Sequence, residues 1–464
     1  MIHRRRFLGM TVAAAFGSYI VPRCALGGPK YKAPSEKLNI AGIGVGGQGA
    51  GDLKDMQSEN IVALCDVDAK YAARTFKSYP QAEVFKDYRI MLEKRKDIDA
   101  VVIATPDHMH APISLAALRA GKHVYVEKPM AHSIEEARQM TKVAKEAGLV
   151  TQMGNNGHAG EGLRLMREWI QAGAIGPVRE VHCWSDRPGK WWVQDLDRPA
   201  KSDPVPPTLE WDLWLGAAPV RPYVDKIYEP TECPVYIPKA WRGWFDFGTG
   251  ALGDMAIHNL DPAFYALDLG ALLLTEAKTS PLKKESYPAW GIITYEFAAK
   301  GKQPPVKLVW YDGGKRPPRP EGLDPNYAME DNGIYFVGDK GVMLCDGWSR
   351  GLPLPGQPKT EVPWLLPLSK MKDFTPPPKT IPRSIGHRAE WIQACKDGKP
   401  EDAKAGFDYC GPFTESLLVG NLAVRLQKRI EWDAAAMKAT NAPEADPLIR
   451  KSYRSGFGIS SGIA

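Results

Sequence analysis

Residues 37–49 read KLNIAGIGVGGQG, an apolar run from Leu38 to Ile43 that leads into Gly44, Gly46 and Gly49 at G-x-G-x-x-G spacing. Each glycine answers a separate physical need. Gly44 permits a tight turn out of a strand; Gly46, with Gly47 beside it, lets a phosphate approach the backbone; Gly49 lets the next helix pack closely on the strand. The free N–H groups at that helix's start then face the phosphates. NIVALCDVD (60–68) adds a second apolar strand that ends in Asp66, 17 positions beyond Gly49. A carboxylate there accepts hydrogen bonds from adenosine ribose hydroxyls and repels a 2′-phosphate, so the pattern predicts a dinucleotide cofactor and favours NAD over NADP. Asp68 is placed to share this role, and Lys70 or Arg74 to soften the repulsion.

Outward from this loop, residues 38–153 alternate short apolar runs with helical patterns: DAVVIATP (99–106), HVYVEKP (123–129) and LVTQMGN (149–155) are separated by segments such as APISLAALRAG and SIEEARQMTKVAKEAG. Such alternation predicts a doubly wound parallel sheet covered by helices on both faces. The runs are apolar at consecutive positions, as strands buried on both sides must be. Beyond Gly154 the texture changes. A helix (161–176) and a strand (178–186) precede an irregular stretch, Pro188–Arg242, and later runs such as AWGIITYEFA, VKLVWYDG and GIYFVGDKGVMLCDG read as strands joined by glycine turns. The expected organisation is a leader and N-terminal arm (1–33), an α/β Rossmann domain (34–154), an α+β domain with a large, mainly antiparallel open sheet (155–440) and a C-terminal tail (441–464).

The N-terminus conflicts with a cytosolic cofactor. Arg4-Arg5-Arg6-Phe7-Leu8 and the apolar run Met10–Val21 have the form of a twin-arginine export leader. The run is shorter than the roughly 20 residues that span a bilayer, so stable membrane insertion is not expected. The leader predicts a periplasmic or otherwise exported protein that engages the twin-arginine machinery and carries its cofactor with it. The formal charge of +6 includes Arg4, Arg5, Arg6 and Arg23, and charges elsewhere are interspersed, which argues against a nucleic-acid partner. Seven cysteines show neither a CxxC nor a metal-ligand spacing; a Cys183–Cys233 bridge is the one pairing considered for an oxidising compartment.

Two further motifs close buried strands, Thr105-Pro106-Asp107-His108-Met109-His110-Ala111 and Glu127-Lys128-Pro129, where open parallel sheets place their ligands. With these motifs in order, the chain resembles the Gfo/Idh/MocA (glucose-fructose oxidoreductase and inositol dehydrogenase) family along essentially its whole mature length. The resemblance implies that Lys128 reaches the reacting carbon near a nicotinamide, with Glu127 positioning it. An ammonium group in a partly desolvated cleft can donate to a developing alkoxide and join in proton transfer. The resemblance also implies that Thr105, Pro106, His108 and His110 lie by the cofactor. It places Asp254 and His258, four residues apart and so on one face of a helix, opposite the lysine. His258 is then the acid/base, and Asp254 orients it or the substrate. His108, His110, His158, Asp254 and His258 have no fixed ligand spacing, and no metal is expected.

Seven of the fourteen tryptophans fall between Trp184 and Trp244. Aromatic faces stack on the C–H face of a pyranose while charged side chains bind its hydroxyls. Asn156, His158, Arg187, Trp192, Trp241 and Arg242 are therefore candidates for a carbohydrate or cyclitol site. The expected activity is NAD-dependent oxidation of a secondary hydroxyl, or reduction of a keto group, of a sugar, glycoside or cyclitol, with tightly held cofactor. The alternative is an NAD-dependent glycosidase that works by transient oxidation, elimination, water addition and re-reduction. The resemblance also implies a homodimer or homotetramer, because this family commonly uses the second domain's sheet as an oligomer face.

Overall fold

The computed structural model describes residues 36–228, 232–355 and 357–460. The expected leader and Cys24 lie outside these residues. Six strands form the first sheet: β1 (Asn39–Ile43), β2 (Asn60–Cys65), β3 (Glu83–Phe85), β4 (Ala100–Ile103), β5 (His123–Val126) and β6 (Thr151–Met153). Their order is β3-β2-β1-β4-β5-β6, and every neighbouring pair is parallel. The order reverses between β1 and β4, so the loops after these strands open a crevice at the sheet's carboxyl edge.

Alternate residues of each strand enter two cores, as period-2 geometry requires. Ile40, Leu64, Val102 and Tyr125 join one; Ile43, Cys65, Val101, Ile103, Val124 and Val126 join the other. The first core is closed by Trp391, Ile392 and Cys395 of the helix His387–Asp397. That helix comes from the range expected to belong to the second domain. It is tied to the first by Arg388–Asp52 and by Lys396–Glu59 at 2.7 Å.

The second sheet has nine strands, in the order Trp364–Leu366, Gly341–Asp346, Gly333–Gly338, Val178–Trp184, Val306–Tyr311, Gly291–Phe297, Leu272–Thr279, Ile430–Asp433, Lys438–Ala439. It is antiparallel except where Val178–Trp184 pairs in parallel with Val306–Tyr311, which makes the sheet mixed. The helix Phe407–Leu426 packs between this sheet and the Rossmann helix Ile134–Ala147, where Arg138 meets Glu415 at 2.7 Å. One continuous apolar core thus runs through both domains.

The Cys183–Cys233 bridge is not formed. Cys183 is buried in the nine-stranded sheet, whereas Cys233 lies in a two-residue strand against Ile227, and both thiols are free. The irregular 188–242 stretch is laid over the Rossmann domain through Ala69 N–Thr208 O (2.9 Å) and Glu210 N–Val67 O (2.8 Å). The C-terminal segment also folds back instead of trailing away. Lys451 pairs with Glu136 at 2.7 Å, and Arg454 Nε donates to Gly216 O at 2.8 Å. Among the described residues no helix is long and apolar enough to cross a membrane.

Candidate active site

A cavity of about 580 Å³ runs along the carboxyl edge of the parallel sheet, from Asp66 and Asp87 past the glycine loop to Lys128, Asp254 and His258. Gly44 adopts φ +78°, and a Cβ there would lie 2.8 Å from the backbone of Ala104 and Thr105. Gly49 does not line the cavity. It packs the helix onto the turn, where a Cβ would fall 2.4 Å from Gly44 O. Gly44, Gly46 and Gly47 do line it, and the helix Gln48–Asp55 starts from Gly47 with no side-chain cap. An uncapped helix start beneath bare glycines is a ready seat for a pyrophosphate. Asp66 Oδ2 accepts from Val45 N (2.8 Å) and Gly46 N (3.0 Å), so the carboxylate braces the loop and closes the site's adenosine end. Burial pushes its pKa up to about 6. The residues present therefore fit NAD.

Lys128 follows β5. Its Nζ lies 2.9 Å from Asp254 Oδ1 and 3.1 Å from Asp254 O. Asp254 also accepts from Arg242 Nε at 2.7 Å on Oδ1, and Arg187 Nη1 lies 3.6 Å from Oδ2. Burial alone would raise this carboxyl, but Lys128 and Arg242 hold it well below the usual carboxylate range. Asp254 sits in a π-helical turn, Leu252–Ala256, and His258 in the α-turn that follows. Such turns recur at functional sites because the extra residue re-aims side chains. Both residues face the cavity, but no hydrogen bond joins them.

His258 is oriented by Asn155 instead. Asn155 Nδ2 donates to Ile257 O (3.2 Å), which turns its Oδ1 toward His258 Nδ1 at 2.7 Å. The imidazole must donate to that oxygen from Nδ1, and Nε2 keeps its lone pair for the cavity. Burial, reinforced by Lys128, depresses the His258 pKa well below the ordinary value. The ring is neutral and ready to accept a proton.

Three expected site histidines do not reach the cavity. His108 is fully buried, donates from Nε2 to Trp214 O at 3.1 Å, and supports Trp214 and Phe247 from beneath. His110 spans the carbonyls of Pro129 (2.7 Å) and Thr105 (2.8 Å), locking together the loops after β4 and β5. Burial lowers His108 to about 3, which makes it a neutral strut; His110, lowered to about 4 by burial, carries in its neutral form a single N–H that can serve only one of its two carbonyls at a time. His158 is taken up by Asp261 at 2.9 Å, between Tyr265 and Tyr409. Thr105, Pro106, Glu127, Asn156, Arg187, Trp192, Trp241 and Arg242 do line the cavity. Glu127 Oε1 is buried without a partner, and burial with Asp52 nearby pushes its carboxyl up to about 8. Burial thus favours its neutral form, in which it can donate to a bound polar group.

Of the seven clustered tryptophans, Trp191, Trp192, Trp214 and Trp241 line the cavity, while Trp184, Trp211 and Trp244 belong to the core and its margins. Trp348, outside the cluster, lines the cavity and packs on His258 with ring centroids 4.7 Å apart. It and Asn155 went unread in the sequence. Asn155 was one half of an Asn-Asn pair, with no local signal to set it apart from Asn156, and Trp348 stands far along the chain from the other aromatic residues. Asp107 was also missed. It accepts from Thr249 N at 3.0 Å and ties the loop after β4 to the segment that carries Asp254.

Two family models match the chain in order: an oxidoreductase family's NAD-binding Rossmann fold over residues 37–155, and its C-terminal alpha/beta domain over residues 168–303, together more than half of the chain. The levoglucosan dehydrogenase of Pseudarthrobacter phenanthrenivorans is 27% identical over 242 residues, 51% of this chain and 51% of that one. A glycosyl hydrolase family 109 protein of Shewanella baltica is 26% identical over 223 residues, 42% of this chain and 48% of its own length. The chain spans about half the length of these curated relatives. Among solved structures, an NAD-binding protein from Listeria innocua shares the fold with a TM-score of 0.56 at 16% identity, covering 85% of this chain and 97% of that one.

The Asn155–His258 contact makes a prediction about charge. In NMR titrations the His258 ring should remain neutral well below pH 6.5. Asn155→Asp places a carboxylate against Nδ1, favours the imidazolium, and should raise the transition by about 1 unit or more. An ordinary histidine titration in the parent protein would contradict the assigned environment.

Proposed function

The chain belongs to the Gfo/Idh/MocA oxidoreductase family, and from that premise we propose that it is an NAD-dependent oxidoreductase acting on a secondary hydroxyl, or the corresponding keto group, of a sugar, glycoside or cyclitol, with the cofactor tightly held. One observation carries this reading: the Lys128–Asp254 bridge and the free Nε2 of His258 share one cavity with the glycine loop. NAD, when bound, supplies the hydride acceptor. His258 Nε2 takes the hydroxyl proton. Lys128, anchored by Asp254, donates to the oxygen on which charge develops and is the electrostatic stabiliser of the reacting centre. A relative named for levoglucosan supports a carbohydrate-like substrate, as do Trp192 and Trp241 in the cavity wall.

Tight retention of the cofactor is supported by the wall laid over the crevice. Leu209, Leu213, Trp214, Ile237 and Pro238 come from the irregular stretch and line the cavity beside the Rossmann loops. The Asp68–Leu209 bridge and the Arg454–Asp212 pair at 2.5 Å fasten this wall from two sides. Retention fits the further proposal that the chain is exported through the twin-arginine machinery, which rests on Arg4, Arg5, Phe7 and Leu8 and the apolar run after them. A cofactor that cannot be exchanged must be restored in place, either by a second substrate or by a cycle that returns the hydride to the same molecule.

The roles are tested by following nicotinamide absorbance on addition of candidate sugars. Lys128→Met should lower the rate by about 10²–10³-fold, and His258→Ala by about 10²–10⁴-fold. Undiminished hydride transfer in either variant would defeat the assignment. Aryl glycosides without an added acceptor separate the glycosidase alternative: sustained aglycone release would replace the dehydrogenase reading, and a single stoichiometric turnover supports it. For export, Arg4→Lys with Arg5→Lys should hold the protein in the cytoplasm on cell fractionation, and unchanged export would refute the leader.

A further inference from the structure

The substrate end of the cavity has more positive charge than catalysis requires. Lys128, Arg187 and Arg242 surround Asp254, with side-chain exposures of 15%, 13% and 24% against 7% for the carboxylate. Among the described residues Asp186 is the only other ion-pair partner, 3.5 Å from Arg187 Nε, and it also accepts from Asn332 at 3.2 Å. Nearby Asp107 and Glu127 are pushed up to about 7 and about 8 by burial, so neither contributes a full negative charge at neutral pH. Lys239 adds a further cation at the mouth, 5.2 Å from the centre of the Trp191 ring, whose face also carries the Arg187 guanidinium at 3.6 Å. Three enclosed cations are thus paired with two carboxylates, Asp254 and Asp186.

The donors are short of partners as well. Arg187 Nε is buried and makes no hydrogen bond. Nη2 of Arg187 and of Arg242 have none among the described residues, since Asp254 engages only one nitrogen of each guanidinium. A buried guanidinium N–H left without an acceptor, as Arg187 Nε is, costs free energy unless a ligand supplies one. The Arg242 guanidinium lies beside Trp241 and Trp192 and that of Arg187 over Trp191, so two guanidinium groups among aromatic rings are placed to take an acid group carried on a ring that packs against this wall.

We propose that the substrate is a sugar acid, a uronate-type ring whose single carboxylate is held by Arg187 and Arg242 while its reacting hydroxyl faces Lys128 and His258. The placement of the hydroxyl rests on the oxidoreductase reading above; recognition of the carboxylate does not. A carboxylate is favoured over a phosphate monoester because the enclosed cations outnumber their paired carboxylates by one, and a phosphate monoester brings close to two charges.

The experiment is calorimetry on the NAD-loaded full chain with matched ligands: methyl glucoside, galactoside and mannoside, each against its C6-carboxylate counterpart, with the 6-phosphates as a third arm. In at least one series the acid should bind about tenfold or more tightly than the neutral sugar, the scale of one charge-assisted hydrogen bond. Arg187→Gln should narrow that ratio to a few-fold, and Arg187→Lys should restore part of it. The parent protein alone decides the matter if a variant does not fold. No preference for an acid in any series, or tighter binding of a 6-phosphate, would overturn the inference. Nicotinamide absorbance in the same samples separates the two claims. Preferential binding of the acid without reduction keeps the carboxylate site and counts against the oxidoreductase reading; equal binding and equal reduction of neutral and acid sugars does the reverse.

Discussion

A buried ion pair between the two domains organises the site: Lys128, at the end of a Rossmann strand, held 2.9 Å from Asp254 in the second domain. Neither partner is useful alone. Burying two charges costs several kcal/mol per ion unless geometry and hydrogen bonds compensate, so such a pair is a poor source of stability and a strong constraint on position. Here the compensation is visible in the Asp254 carbonyl that also accepts from Lys128 and in Arg242 on the same carboxylate oxygen. The surrounding loops serve that geometry. His110 locks the turn after β4 to the turn after β5, and Asp107 ties the first of these to Thr249, five residues before Asp254.

Around this pair, burial sorts groups into charged and neutral. Asp254 remains ionised because two cations face it, while Glu127, equally enclosed, is pushed toward its neutral form. His258 stays neutral because it is buried close to Lys128, and Asn155 decides which nitrogen keeps the lone pair. Proton acceptor, cationic donor and neutral acid thus arise from one cavity by differences in neighbours alone. The same differences leave Arg187 and Arg242 undersupplied with negative charge, the feature that separates substrate recognition from the chemical step.

What could be read from the chain followed the range of the interactions involved. The glycine loop, Asp66 and the parallel sheet are local patterns, each needing only a few consecutive residues, and they were legible. Lys128, Asp254 and His258 were found through motifs, although the turn that carries Asp254 is π-helical and Asn155, rather than Asp254, orients His258. His108 and His110 were expected by the cofactor through the resemblance and His158 in the substrate site; packing, which local sequence does not show, makes all three struts. Trp348 packs on a residue 90 positions earlier and the helix His387–Asp397 on strands still farther back along the chain, and for such returns local spacing carries no signal.

The account rests on a nicotinamide held in the cavity and cycled there. The most direct measurement is to purify the full chain without added nucleotide, denature it, and quantify the released nucleotide and its redox state before and after exposure of the native protein to substrate. The account predicts close to one NAD or NADH per chain, as a single Rossmann crevice allows, with the reduced fraction rising on addition of an oxidisable sugar. A protein that yields no nucleotide, and takes up none after refolding with NAD, would contradict it.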